Sequence, residues 1–353
     1  MSRTSRLDVP STDLLTEAQN RRHWLGQILG MGTGLWLSGC ESPTSSEPPP
    51  APTTGRHWKI VCTIGMVTDL VQQIAGELGE VLGLLSEGVD PHLYRPTARD
   101  TGLMMQADLV FYSGLHLEGR MTEDFEAAEK HGRRFYAVTP DLPEDQLITS
   151  DVAGVHDPHV WGDVQLWIQC ARTITRRLQA FDAPHAAIYQ TNSDRLCVEL
   201  NNLDQYIRQV IASIPEPQRL LVTAHDAFAY FSRAYSIPVK SVQGISTESE
   251  AGVNDINALV ALLVDMKIPT VFVEASVNPK SLEAVREGTA QRGWPVSVGG
   301  TLYSDSMGAP GTYEGTYAGM MDVNATTIAR SLGGTAPVEG WRGQLPAAKT
   351  TSP

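Results

Sequence analysis

KIVCTIGMVTDLVQQIAGELGEVLGLLS, residues 59–86, contains a complete strand–helix–strand unit. The apolar runs 59–64 (KIVCTI) and 80–86 (EVLGLLS) predict strands, and the amphipathic segment from Val67 to Leu78 predicts the helix between them. Short apolar runs bounded by polar or turn residues are typical of parallel strands that are buried on both faces. The stretch therefore predicts two parallel strands joined by a right-handed helical crossover.

The same alternation of strands and helices continues along the chain and then repeats. A helix is predicted near 97–106, with strands at 108–113 and 134–139. In the second half, the predicted strands are 219–224, 237–244, 270–275 and 295–300, and the predicted helices are about 226–235, 253–267 and 279–291. We therefore predict an α/β fold with two lobes, each with a four-stranded parallel sheet flanked by helices.

Residues 183–213 predict one long, rigid helix that joins the lobes. Their apolar residues recur at roughly helical spacing, and no strong helix breaker follows Pro184. The 353 residues are enough for two lobes. The predicted boundaries are an N-terminal lobe at 58–182, the linking helix at 183–213, a C-terminal lobe at 214–332 and a disordered tail at 333–353.

The N-terminus has the pattern of an export signal. Arg21 and Arg22 precede an apolar run from Trp24 to Leu37, which is short for a membrane span and ends in Leu-Ser-Gly-Cys40. We predict a lipoprotein signal peptide at 1–39, because this end resembles a bacterial lipobox whose Cys40 is lipidated. The alternative is a short membrane anchor with an incidental cysteine, and both twin-arginine and general export stay open. Residues 40–57, rich in Pro, Ser and Thr, predict a solvated tether.

Composition excludes one large class of partners and one kind of metal site. The net charge of −13 argues against nucleic-acid binding, which needs a basic face. The cysteines have no CxxC spacing, so they do not predict a thiolate metal site. Apart from Cys40, we interpret Cys62, Cys170 and Cys197 as buried free thiols.

Four polar residues are placed where a ligand would bind between the lobes. His92 lies in GVDPHLYRPT, His159 in HDPHVWGD, His225 in LVTAHDAF and Asp305 in GGTLYSDSMG. Each is predicted to follow a strand, and open α/β sheets bind ligands at the carboxyl ends of their strands. Asp-Pro-His occurs twice, at 90–92 and 157–159, and the proline restricts the backbone around each histidine.

The chemistry of these side chains indicates a metal. Three imidazoles and a carboxylate suit Zn²⁺ or Mn²⁺ better than Cu⁺, which prefers sulfur, or Ca²⁺, which prefers oxygen. The aspartate of each Asp-Pro-His motif is placed to orient an imidazole or the loop that carries it. His156 is a less favoured alternative ligand, and Glu274 is interpreted mainly as a structural carboxylate that could also support a ligand.

The segments VDPHLYRPT, HDPHVWGDVQLW, LVTAHDAFAYFSRAY and TLYSDSMG resemble, in this order, the metal receptors of bacterial ABC transporters typified by TroA, the cluster A-I solute-binding lipoproteins. The resemblance runs from about Trp58 to about Leu332. It implies that His92 and His159 from the N-terminal lobe and His225 and Asp305 from the C-terminal lobe bind one ion between the lobes. Manganese-specific members usually have Glu at the position of His225, and many zinc-specific members lack the carboxylate, so this sequence leaves zinc and manganese open.

The resemblance also implies a cellular role. We expect an extracytoplasmic monomer, attached to the membrane by a lipid, that captures Zn²⁺ or Mn²⁺ and passes it to the permease and ATPase of an ABC importer. One alternative is a zinc hydrolase that uses the same histidines, although the chain has no HExxH motif or nucleophile elbow. A third interpretation is an adhesin-type surface lipoprotein.

Overall fold

The computed structural model describes residues 57–150 and 154–345. The predicted signal peptide, Cys40 and the predicted tether up to residue 56 lie outside the described residues. Within the described ranges, no helix is both long enough and apolar enough to cross a membrane.

The N-terminal half contains the predicted parallel sheet. Its strands are β1 (Trp58–Cys62), β2 (Gly79–Gly83), β3 (Leu109–Tyr112) and β4 (Phe135–Ala137), in the order β2-β1-β3-β4. All neighbouring strands are parallel. The helices are α1 (Gly65–Ala75), α2 (Ala98–Gln106), α3 (Thr122–Lys130) and α4 (Val164–Phe181).

Local sequence explains where these elements begin. α1 buries Met66, Val67, Leu70, Val71 and Ile74, which lie on one side of a helix. At the start of α2, the Thr97 hydroxyl accepts a hydrogen bond from the backbone N–H of Asp100. The Asp100 carboxylate in turn accepts one from the N–H of Thr97, so two amides at the helix start are satisfied.

The C-terminal half contains four parallel strands in two hydrogen-bonded pairs. β5 (Leu221–Thr223) pairs with β6 (Val239–Ser241), and β7 (Thr270–Glu274) pairs with β8 (Ser297–Leu302). β5 also lies against β7, but no hydrogen-bonded ladder joins these two strands. The second half therefore has two two-stranded parallel sheets where one four-stranded sheet was predicted. The helices are α6 (Ala229–Tyr235), α7 (Val253–Asp265), α8 (Lys280–Gln291) and α9 (Tyr317–Ser331).

The predicted linking helix is α5 (Ala186–Ala212), a single helix of 27 residues. Its buried residues include Leu196, Leu200, Leu203 and Ile207, whereas Ile188 is exposed. α5 packs against α1 and α4 from the first half and α9 from the second. The largest group of buried apolar residues is continuous through both halves, so the two halves share a core instead of having entirely separate ones.

Residues 333–345 differ from the prediction of a disordered tail. The backbone N–H of Thr335 donates to the Ser213 hydroxyl, and the N–H of Trp341 donates to the Asp322 carboxylate. Trp341 also packs against the main core. The segment forms no regular helix or strand and is held by isolated contacts. Such contacts leave no apolar periodicity in the sequence, so they could not be predicted from it. Residues 346–353 lie outside the described part.

Two of the three cysteines of the folded part are buried as predicted. Cys62 in β1 and Cys170 in α4 are buried free thiols, and burial raises the pKa of each thiol above its ordinary value. Cys197 in α5 is also a free thiol but only partly buried.

We expect the shared core around α5 to contribute much of the stability. Leu203→Ala should lower the free energy of unfolding by about 2–5 kcal/mol, because Leu203 is completely buried and its loss leaves a cavity. Val198→Ala is the matched control on the same helix, since Val198 is 64% exposed and should change stability by no more than about 0.5 kcal/mol. Denaturant unfolding followed by circular dichroism measures both, and equal effects would contradict the shared core.

Candidate metal centre

The four candidate residues reach the site from four different loops. His225 lies two residues after β5, and Asp305 lies three residues after β8, as predicted for the carboxyl ends of strands. His92 lies farther along, in the loop between β2 and α2. His159 does not directly follow a strand. It comes after a long irregular segment beyond β4, just before the short turn of helix that leads into α4.

The structure brings these four side chains together. One ligand atom from each of His92, His159, His225 and Asp305 lies within 4.8 Å of all the others. Nε2 of His159 is 3.2 Å from Nε2 of His92 and 3.2 Å from Oδ1 of Asp305. Nε2 of His225 is 3.0 Å from Oδ2 of Asp305, and Nε2 of His92 is 3.9 Å from the same oxygen.

This spacing fits a four-ligand cation. Ligand atoms at the usual zinc–nitrogen and zinc–oxygen lengths are separated by about 3.4 Å in a tetrahedron, and the four separations above bracket that value. Both carboxylate oxygens of Asp305 and Nε2 of His225 are buried without a hydrogen bond among the described residues. Buried polar atoms without partners are costly, and a cation would satisfy all of them together.

Two carboxylates outside the cluster hold the histidine rings. Oδ1 of Asp157 accepts the backbone N–H of His159 and lies 2.7 Å from its Nδ1. Oε2 of Glu274 lies 2.6 Å from Nδ1 of His225, at an ion-pair distance without hydrogen-bond geometry. A negative group beside Nδ1 favours a proton there, which leaves the lone pair of Nε2 free for a metal.

The role of Glu274 is larger than the one favoured from the sequence. Its Oε1 accepts the backbone N–H groups of Ala224 and His225, so the structural interpretation was right for this oxygen. Its other oxygen faces the imidazole of His225. Glu274 ends β7, and its position at a strand end was the only signal in the sequence.

Glu118 is a buried carboxylate that sequence reasoning missed. It accepts hydrogen bonds from the Thr63 hydroxyl and from the backbone N–H of Ser113, which follow β1 and β3. The next residue, Gly119, has a positive φ of 40°, and a Cβ there would lie 3.0 Å from the carbonyl oxygen of His92. Glu118 therefore supports the turn against which the His92 backbone lies. No motif or spacing in the sequence marks it.

Burial and charge separate the pKa values of the three histidines. Burial lowers the pKa of His92 to about 4. Burial also opposes protonation of His159, but the charges of Asp157 and Asp305 outweigh it and raise the pKa of His159 to about 9. Burial is likewise outweighed at His225, where Glu274 and Asp305 hold the pKa well above its ordinary value.

The other histidine near the site stays outside it. Nε2 of His156 lies 2.9 Å from Oε1 of Glu144, away from the cluster, so the structure gives it a carboxylate partner at the surface.

A cavity of about 370 Å³ approaches the cluster from one side. It is lined by α1, by β2 and residues 85–89 of the loop that carries His92, and by the segment after β8, and Asp305 and Met307 form part of its wall. On another side, the ring of Trp161 lies 5.3 Å from that of His159, centre to centre. The indole N–H of Trp161 donates to the carbonyl of Ser304, which places the residue before Asp305 against the His159 loop.

Known proteins are similar to this chain over most of its length. Residues 60–331 match the family described as zinc-uptake complex component A, periplasmic. The manganese-binding lipoprotein MntA of Bacillus subtilis (strain 168) is 40% identical over 296 residues, which cover 84% of this chain and 95% of that protein. The zinc-binding protein TroA of Treponema pallidum (strain Nichols) is 42% identical over 273 residues, which cover 77% and 88%.

The fold is also shared with a solved structure. The periplasmic zinc-binding protein TroA from Treponema pallidum superimposes with a TM-score of 0.76 at 41% sequence identity. The superposition covers 78% of this chain and 99% of that one.

We predict that Glu274→Gln weakens zinc binding by about 10–100-fold, the usual effect of losing an outer-shell partner. The amide oxygen can still accept the two backbone N–H groups, so the loop should keep its shape, while the charge beside Nδ1 of His225 is lost. Glu283→Gln, an exposed change on α8, is the control. Competition with a zinc chelator measures both affinities, and equal affinities would remove Glu274 from the site's support.

We also predict that metal binding releases protons. The raised pKa values favour protonated imidazoles at His159 and His225 in the metal-free protein, and a nitrogen that coordinates a cation must first lose its proton. Affinity should therefore fall as the pH is lowered below about 9, by about tenfold per pH unit for each proton displaced. Calorimetry at pH 7.5 in buffers of different ionisation enthalpy counts the protons, and a heat that does not depend on the buffer would contradict the prediction.

Proposed function

The chain belongs to the periplasmic zinc-uptake component A family, and we propose that it captures Zn²⁺ or Mn²⁺ outside the cytoplasm and delivers it to an ABC importer. In this proposal His92, His159, His225 and Asp305 are the ligands of the transported ion. The observation that carries it is the convergence of four buried ligand atoms, one from each of these residues, within 4.8 Å of one another.

The donor set supports a borderline divalent cation as the cargo. Three imidazole nitrogens and a carboxylate suit both zinc and manganese, and the second oxygen of Asp305 can raise the coordination number for manganese. The names of the relatives give the same pair, since MntA is named for manganese and TroA for zinc. We therefore assign the site to both ions as candidate cargo.

The importer role implies a permease and an ATPase as partners, as for ABC importers in general. Relatives named as metal ABC transporter substrate-binding lipoproteins support this assignment and the extracytoplasmic location. We further propose that Cys40 carries the lipid anchor, that residues 40–57 are the tether to the folded part, and that the protein acts as a monomer.

The hydrolase alternative has no support. The relatives are binding proteins of transporters, so the chain is not an enzyme. The geometry agrees with that conclusion, because catalytic zinc sites keep an open position for water and here four protein ligand atoms converge.

The ligand assignment predicts a specific loss of binding. His159→Ala should weaken zinc binding well beyond the about 10–100-fold that is usual for outer-shell changes, because it removes one of the four ligands. His156→Ala is the matched control, three residues earlier and outside the cluster. Calorimetric titration with zinc and with manganese should show one ion per chain for the unchanged protein, and an unchanged affinity of His159→Ala would contradict the assignment.

The anchor predicts a change of location. Cys40→Ser should move the protein from the membrane fraction to the soluble fraction, because the thioether to the lipid cannot form. Cys197→Ser, which alters a partly buried cysteine in α5, should stay with the membrane. Fractionation of cells followed by immunoblotting distinguishes them, and membrane association of Cys40→Ser would mean that the N-terminal segment itself is the anchor.

A further inference from the structure

The two Asp-Pro-His motifs use their aspartates in different ways. The Asp157 carboxylate makes both of its described hydrogen bonds with the following histidine, at the backbone N–H and at Nδ1 of His159. Asp90 contacts only the backbone N–H of His92, through Oδ1 at 2.9 Å. Its Oδ2 accepts a hydrogen bond of 2.5 Å from the hydroxyl of Thr247, which is 157 residues away in the other half.

His92 differs from the other candidate ligands in its surroundings. Its side chain is 5% exposed, whereas those of His159, His225 and Asp305 are completely buried. Among residues 57–150 and 154–345, no carboxylate forms an ion pair with Nδ1 of His92. The position of His92 therefore depends on its loop, and the Asp90 carboxylate is the group that holds its backbone.

The hydrogen bond between Asp90 and Thr247 joins two loops from different halves of the chain. The His92 loop (residues 84–97) and the Thr247 loop (residues 242–252) each contain many exposed residues, although His92 itself is buried, and Thr247 is partly buried. The His92 loop has one other described hydrogen bond to the C-terminal half, from the backbone N–H of Gly88 to the Ser306 hydroxyl at 3.2 Å. Of the four candidate ligands, only His92 lies in either of these two loops.

We propose that Thr247 is a positioning residue for His92, and that its hydrogen bond to Asp90 is a clasp that sets how fast the bound ion leaves. When the bond breaks, the His92 loop moves away from the Thr247 loop, and the ion loses its outermost ligand first. The ion then leaves past the displaced His92 loop, part of which also lines the cavity beside α1. This inference rests on the proposed function, because it assumes that the four residues bind the transported ion.

The test is the rate at which zinc leaves the full-length, zinc-loaded protein into an excess of a chromogenic chelator, followed by stopped-flow absorbance. Thr247→Val removes the hydroxyl at nearly constant size and should speed release about tenfold or more, the effect of losing a hydrogen bond to a charged group. Thr247→Ser keeps the hydroxyl and should restore slow release. Thr191→Val is the matched control, since that exposed hydroxyl bonds only within α5, to the carbonyl of Ala187.

A double-mutant cycle identifies the group through which Thr247 acts. In an Asp90→Ala background, Thr247→Val should cause no further increase in the rate, because the clasp is already broken. Additive effects would overturn the proposal. The melting temperature of each metal-free variant is measured alongside, and a role limited to folding would lower it without changing the rate of zinc release.

The remaining outcomes separate this inference from the function on which it rests. If the unchanged protein binds no zinc, the proposed function fails. If it binds one zinc ion but Thr247→Val releases it at the original rate, only the clasp fails. Should Thr247→Val not fold, Thr247→Ala carries the same expectation, and equal release rates for Thr247→Ala and Thr247→Ser would overturn the clasp.

Discussion

The Asp305 carboxylate is completely buried, and within the described part of the chain neither of its oxygens makes a hydrogen bond. A buried charge must be balanced by an opposite charge, because desolvation is otherwise too costly. Nε2 of His159 and of His225 lie beside the two oxygens, and their positive charge outweighs burial and holds the pKa of Asp305 well below its usual range. The same attraction works in the other direction, because the charge of Asp305 helps to raise the pKa values of both imidazoles. A divalent cation carries the same total charge as two protons, so a cation bound here would balance the carboxylate in the same way.

This arrangement requires the candidate ligands from both halves to keep their relative positions. Hydrogen bonds between the two halves hold them there. The hydroxyl of Tyr230 in the second half donates to the carbonyl of Asp157 in the first. The hydroxyl of Tyr317 donates to the carbonyl of Trp161, and the indole of Trp161 donates to Ser304. Together with the core that runs through both halves, these contacts hold His159 and Asp305 against each other. His92 has a single carboxylate holding its backbone, and that carboxylate is shared with Thr247 of the other half. The site thus combines three firmly held candidate ligands with one whose loop is held by fewer contacts.

Much of the fold could be predicted because its strands and amphipathic helices are short-range patterns. α5 lies within its predicted range, since its buried residues recur at helical spacing. α9 was not predicted, because most of its residues are buried on all sides and no polar face alternates with an apolar one. The tail at 333–345 was predicted to be disordered, since isolated contacts such as that of Trp341 with Asp322 follow no period. For the site, residue types and the repeated Asp-Pro-His indicated His92, His159, His225 and Asp305, whereas Glu118 and Thr247 had no signal.

By itself, the sequence determined the α/β class, the long connecting helix, the family resemblance and the set of four metal-binding candidates, because each depends on residue type and local spacing. Only the tertiary structure decided which carboxylate serves which histidine. Asp157 orients His159, Glu274 orients His225, and Asp90 turns away to Thr247. These pairings join residues up to 157 positions apart, and they depend on the packing of two halves around a shared core. Two identical tripeptides can therefore have different roles, because the neighbours that distinguish them come from elsewhere in the chain.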